Sequence, residues 1–200
     1  MKDLQIEWLS SNNYQSNNCI MNWKKISSQY LSNHIYFTAR QDVCERPDGH
    51  IVDPYFVVEL PTCVCAMALT ENNEVILVKQ YRHPIEETIL ELPGGFIDKG
   101  EDPEKAIARE LLEETGHEFS SFIHLGKLAA NPGVLDNYTE LFLARDGKKI
   151  STQKLDRNED IEIKYFSLEE VRRMLLQNEI KQALHTACLF YAFLRIDSGK

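Results

Sequence analysis

Glu110, Glu113 and Glu114 lie in the string Ala108-Arg109-Glu110-Leu111-Leu112-Glu113-Glu114-Thr115-Gly116. On a helix these three- and four-residue steps project the three carboxylates from one face. Like charges held this way repel unless a cation lies among them. Hard cations such as Mg2+ and Mn2+ take oxygen ligands and also grip phosphate oxygens. Arg109, set among the acids, can orient one of them through a bidentate pair and screen the rest. For an isolated acidic run the bland alternative is a solvated helix face. Here the flanks weigh against it, because the apolar run Glu87-Thr88-Ile89-Leu90-Glu91-Leu92-Pro93 ends in Gly94-Gly95. Glycines at that point let a backbone carbonyl approach a metal closely. The chemistry this pattern supports is metal-assisted hydrolysis of a phosphate linkage, in which a bound water of lowered pKa attacks in line. It needs no nucleophilic Ser or Cys, and no covalent triad stands out.

The carboxylates require a helix, and the sequence marks its ends. Asp102-Pro103 pairs an N-cap residue with proline at the first helical position, and Gly116 fits the C-terminal stop. Ile107, Ala108 and Leu111 fall on another arc that can pack on a sheet. From Trp23 the chain reads as short strands: 23–32, 34–45 and 50–60. Arg46-Pro47-Asp48-Gly49 makes a hairpin of the last two, and Glu71-Asn72-Asn73 joins a further pair, 62–70 and 74–82. Beyond the acidic helix, 122–133 and 138–145 read as strands joined at Asn131-Pro132-Gly133, and 161–168 as another after a polar stretch from Asp146 to Asp160. Ser167 with Glu169 and Glu170 starts a helix to about Gln177. A last helix covers roughly Ile180 to Ile196, with Leu184, Ala187, Cys188, Tyr191 and Leu194 at helical spacing. The expected fold class is α/β: an α/β/α sandwich with a mixed sheet, plus a small N-terminal antiparallel sheet. Residues 1–60 form the extension and 61–200 the main domain. The first twenty residues, rich in Ser and Asn, read as an irregular start.

Two hundred residues suffice for one well-filled domain with such an extension. The net charge of −9, with no lysine-arginine run, argues against nucleic acid and anionic membranes as partners. Cys19, Cys44, Cys63, Cys65 and Cys188 are odd in number and lack zinc-like spacing, which reads as reduced structural thiols. With no apolar signal core at the N-terminus and no spanning run, a cytoplasmic protein is the expectation.

The spacing from Gly95 to Gly116 resembles the Nudix box: Gly, five residues, Glu101, seven residues, then Arg109-Glu110-Leu111-x-Glu113-Glu114-x-Gly116. Eight specified positions coincide by chance less than about once in a million windows. The resemblance implies a metal-dependent hydrolase of nucleoside diphosphates. From Phe37 through Pro61, and again from Val78 to Gly95, the chain is similar to the ADP-ribose pyrophosphatase branch. That branch implies Mg2+, with Mn2+ possible, a nucleoside diphosphate sugar as substrate, and a homodimer whose N-terminal strands help build the partner's site. It also implies roles for individual residues. Glu110, Glu113, Glu114 and Arg109 form the catalytic set, with Gly94 offering its carbonyl to a metal. Arg82 would contact the diphosphate, Glu91 would stabilise the substrate end, and Trp23 would stack on a base. Glu159, in the loop Leu155 to Ile163, is the choice for general base and further metal ligand, with Asp160 and Glu140 as alternatives. Two departures stand out. His117 replaces an apolar residue common after the box, where a protonated ring would cap the helix. The loop 129–137 lacks the Ser-Asp-Glu string of some ADP-ribose enzymes. ADP-ribose is the leading substrate, another sugar nucleotide such as GDP-mannose the alternative, and a non-catalytic nucleotide sensor the reading from another class.

Overall fold

The computed structural model describes residues 21–34 and 37–199; residues 1–20, with the expected irregular start and Cys19, lie outside the described residues. Strands β1 (Lys24–His34), β2 (Phe37–Glu45) and β3 (Ile51–Glu59) form a three-stranded antiparallel sheet in chain order. The Arg46-to-Gly49 turn closes its second hairpin, with Gly49 N donating to Arg46 O. The second sheet contains β4 (Cys63–Thr70), β5 (Glu74–Arg82), β6 (Glu87–Glu91), β7 (His117–Glu118), β8 (Ser121–Leu128), β9 (Thr139–Lys149) and β10 (Glu162–Ser167). Its central order is β10-β5-β4-β9, with β6 on β5 and both β7 and β8 on β9. Only β4 and β9 pair in parallel, so the sheet is mixed.

β4 is buried from Val64 to Thr70 because both faces of the sheet are covered. Helix α1 (Pro103–Thr115) lays Ala106, Ile107 and Leu111 on Val64, Ala66, Ala68, Ile76, Phe142 and Ala144. Helices α2 (Leu168–Leu176) and α3 (Ala183–Asp197) cover the opposite face, where Val171, Met174, Cys188 and Leu189 pack with Cys65, Met67, Leu77 and Leu143. The α/β/α sandwich follows. No helix among the described residues is long and apolar enough to cross a membrane.

Three local expectations change. The last helix begins at Ala183, not Ile180: Gln182 accepts from His185 N with its side chain as N-cap, and Ile180 is buried in the core. β9 runs on to Lys149, consuming the start of the polar stretch, because Ile150 N and Ser151 N donate to Gly116 O beyond it. His117 is buried at 3% exposure, and burial pushes its pKa down, so a charged helix cap is ruled out. Its Nδ1 instead bonds Thr115 O at 2.8 Å, and its ring packs against Phe119 and Tyr165.

Candidate functional site

Helix α1 starts as its sequence dictates, with the Asp102 carboxylate accepting from Glu104 N and Lys105 N. Glu110 and Glu113 are half-buried, while Glu114 turns inward to 5% exposure. Glu114 Oε2 accepts from Gly94 N at 2.9 Å, tying the helix to the turn that ends β6. That turn is fastened to β4 as well, since Val64 N donates to Gly95 O and Ala66 N to Pro93 O. A Cβ on Gly95 would lie 2.6 Å from the Glu110 carboxyl, so glycine makes the room in which that carboxyl sits. On Gly94, at φ +151, a Cβ would meet Val64 O at 2.1 Å.

Arg109 organises the outer side. Its Nε and Nη2 donate to Glu101 at 3.0 and 2.9 Å, its Nη1 to Glu110 at 2.8 Å and Glu113 at 3.2 Å, and its Nη2 also to Phe96 O. The guanidinium and the Asp98 backbone hold Glu101 down to about 2. Glu101 thus clamps the loop before the helix onto Arg109, a role that the box spacing marks but leaves unexplained.

The inner carboxylates behave oppositely. Burial, then the charges of Glu110 and Glu159, pushes Glu114 up to about 8 against the pull of Gly94 N–H. Burial is also the main reason Glu110 is raised, with Glu113 and Glu159 adding to it. Negative groups that raise one another's pKa have an unmet demand for positive charge. An all-oxygen donor set of this kind suits a hard divalent cation. Among the described residues no three acidic, His or Cys side chains stand close enough to form a ready-made cage. Arg109 holds Glu110 and Glu113 outward, while Gly94 N–H holds Glu114.

Glu159 reaches this cluster because segment 150–154 runs along the C-terminal end of α1. Lys154 N donates to Glu113 O and Gln153 Nε2 to Glu114 O, which satisfies the last helical carbonyls. The loop then turns at Asp156, whose N donates to Glu159 Oε2 at 2.9 Å. Of the alternatives, Asp160 is exposed on the same loop. Glu140 is engaged on β9, with His124 at 2.8 Å and Lys127 at 3.0 Å.

Arg82 and Glu91 come together as a pair. Arg82 Nε and Nη2 each lie 2.8 Å from Glu91 Oε2, which also accepts from Gln80 Nε2 at 2.8 Å. Glu91 is 2% exposed, so its charge is compensated by this fork, while half of Arg82 stays open to solvent. Gln80 was findable, since it shares a face of β5 with Arg82. His185, which accepts from Leu92 N, carries no local signal that sets it beside a strand 93 residues away. Trp23 stands apart from these groups, edge-on to Tyr55 at 6.0 Å on the N-terminal sheet. That sheet is tied to the main domain by Tyr55 OH donating to Gly133 O and by Val58 N donating to Val134 O.

Comparison with known proteins agrees with this architecture. Residues 23–58 match the nucleoside diphosphate sugar hydrolase N-terminal domain. The chain is 32% identical over 158 residues to the methanol dehydrogenase activator of Bacillus methanolicus, covering 78% of this chain and 85% of that one. It is also 32% identical over 140 residues to the ADP-ribose pyrophosphatase of Bacillus subtilis, covering 70% and 76%. A solved ADP compounds hydrolase superposes with a TM-score of 0.78 at 22% identity, over 88% of this chain and 95% of that one, and shares its fold. Residues 59–187 match the NUDIX domain, which spans more than half of the chain and contains the whole carboxylate helix; the chain belongs to the NUDIX family and is a Nudix hydrolase.

Proposed function

We propose that this chain hydrolyses the diphosphate of ADP-ribose or a related nucleoside diphosphate sugar, giving a nucleoside monophosphate and a sugar phosphate. The observation that carries the reading is Glu114, a carboxyl only 5% exposed, bound to Gly94 N–H and pushed up to about 8 by burial and by Glu110 and Glu159, an oxygen donor set that suits a hard cation. Glu110 and Glu114, with the Gly94 carbonyl, are the residues to hold the metal, and Glu113 and Glu159 flank them. Mg2+, or Mn2+ in its place, supplies charge neutralisation at the diphosphate and a water acidified enough to attack. Glu159, on an exposed loop, is the residue that would accept a proton from the attacking water. Arg82, steadied by Glu91 and Gln80, presents its open edge to a phosphate oxygen. Arg109 donates to Glu110 and Glu113 and holds both in place.

Exposed Ile26, Leu31, Phe37, Ile51 and Phe56 on the N-terminal sheet support a homodimer, in which a second copy covers that surface and Trp23 meets the base. The free thiols of Cys44, Cys63, Cys65 and Cys188 suit a reducing cytoplasm. The test is a panel of nucleotide sugars with Mg2+ or Mn2+, read by phosphatase-coupled phosphate release. ADP-ribose turnover is expected. Turnover of GDP-mannose without ADP-ribose would select the alternative substrate, and no turnover of any diphosphate would leave the sensor reading.

A further inference from the structure

We propose that His185 is a positioning residue for the catalytic turn: its Nδ1 holds Leu92 N–H, and with it Glu91 on Arg82 and Gly94 on Glu114. The inference rests on the diphosphatase reading and assigns a task to α3, a helix that otherwise only packs. Leu92 N donates to His185 Nδ1 at 3.1 Å in a fully enclosed setting. Leu92 is itself 2% exposed and stands between the two residues that matter most on this turn. Glu91, before it, carries the Arg82 fork, and Gly94, two residues after it, donates to Glu114. The turn is therefore gripped from both layers of the sandwich, by Glu114 of α1 on one side and His185 of α3 on the other. Between these grips the carbonyls of Pro93 and Gly95 are taken by β4, with that of Gly94 between them.

His185 is itself held firmly. Its N–H donates to the Gln182 side chain at the helix cap, and Thr186 Oγ1 donates to Ile180 O, so the first turn of α3 is fixed on the core. An acceptor is obligatory here, because a buried main-chain N–H without one is expensive. Only neutral imidazole accepts at Nδ1. Burial and the nearby Arg82 charge keep it neutral. Outer groups that orient a metal-binding turn in this way typically change metal affinity or activity by about 10- to 100-fold when removed.

The test compares the full chain with His185→Leu, which removes the acceptor, and His185→Asn, whose Oδ1 falls where Nδ1 was. Three quantities are read: kcat and KM with Mg2+, Mn2+ affinity by electron paramagnetic resonance without substrate, and hydrogen exchange at the Leu92 and Gly94 amides. His185→Leu should lower kcat by about 10- to 100-fold with a much smaller change in KM, weaken Mn2+ binding and speed exchange at both amides. His185→Asn should restore all three to near wild type. Cys188→Ala, a core truncation on the same helix, should lower Tm without changing kcat, which separates positioning from mere stability. Should His185→Leu not fold, His185→Gln takes its place, since its carboxamide reaches past the Nδ1 position and should stay impaired where Asn recovers. Wild-type kcat and Mn2+ affinity in His185→Leu, or equal impairment in His185→Asn, would overturn the proposal. A wild-type chain inactive on every diphosphate would refute the function alone, because Mn2+ affinity and amide exchange still judge His185.

Discussion

The carboxylate site and the N-terminal sheet enclose their distinctive side chains to very different degrees. Glu91 and Glu114 are 2% and 5% exposed, whereas Trp23, Ile26, Phe37 and Phe56 expose 43, 50, 53 and 53%. At the carboxylate site, acids are drawn inside the fold, Glu91 compensated by its Arg82 and Gln80 donors and Glu114 pushed up to about 8 by burial and its acidic neighbours. On the N-terminal sheet, apolar surface is left outside. In the proposed function the first region takes a metal and the second a second copy of the chain. On that proposal the chain separates bond cleavage, built on the sandwich, from recognition, built on the exposed sheet.

The sharpest way to break this contrast is Glu114→Gln, which keeps shape and removes the charge. Turnover should fall by about 10³-fold or more, a loss on the scale of removing a group that stabilises the transition state. Stability should move the other way. A carboxyl whose folded pKa is raised binds more protons in the native state between its ordinary pKa and about 8, so its ionisation weakens the fold as pH rises through that window. Metal-free Glu114→Gln at pH 8 should therefore melt at or above the wild-type temperature, and lose the Tm gain that Mg2+ gives the wild type. Gly95→Ala comes next. The three atoms nearest the added methyl all belong to the Glu110 carboxyl, the end of a flexible side chain, so the fold should survive while activity drops by about 10- to 100-fold, read as kcat in purified protein of unchanged circular dichroism.

On the other side of the comparison, Phe37→Ser with Phe56→Ser should convert a dimer to a monomer in light scattering. KM should rise and metal-dependent Tm gain persist. If the oligomeric state and KM both stay at wild-type values, the sheet has no part in recognition. The smallest effect belongs to the core. His185 is held down to about 3 by burial and Arg82, below its ordinary 6.5, so the unfolded chain binds more protons between those values. Stability then falls as pH drops from 6.5 toward 3, with a contribution of up to about 1.4 kcal/mol per pH unit. Urea titrations of wild type and His185→Asn at pH 5 to 6.5 should differ by that slope.

How much the sequence discloses follows the same division. Helical spacing sets Glu110, Glu113 and Glu114 near one another and Arg109 in the same turn, but it does not disclose that Glu114 turns inward onto Gly94 N while Arg109 holds the other two. Gln80, Arg82 and Glu91 are half legible: strand alternation sets Gln80 and Arg82 on one face, but their meeting with Glu91 depends on β5–β6 register. Glu159 required the path of segment 150–154 along the end of α1, which no local pattern encodes. His185 was invisible, since its partner is set by how α3 lies on the sheet. His117 misled, because a polar residue after a helix suggests an exposed cap while Phe119 and Tyr165 enclose it.

The most direct test of the carboxylate account is single-turnover hydrolysis of ADP-ribose by wild type and Glu114→Gln across a Mg2+ titration. Wild type should cleave in proportion to bound metal and stop on chelation, with Glu114→Gln folded and silent. Cleavage by Glu114→Gln at the wild-type rate, or by wild type in excess chelator, would contradict it.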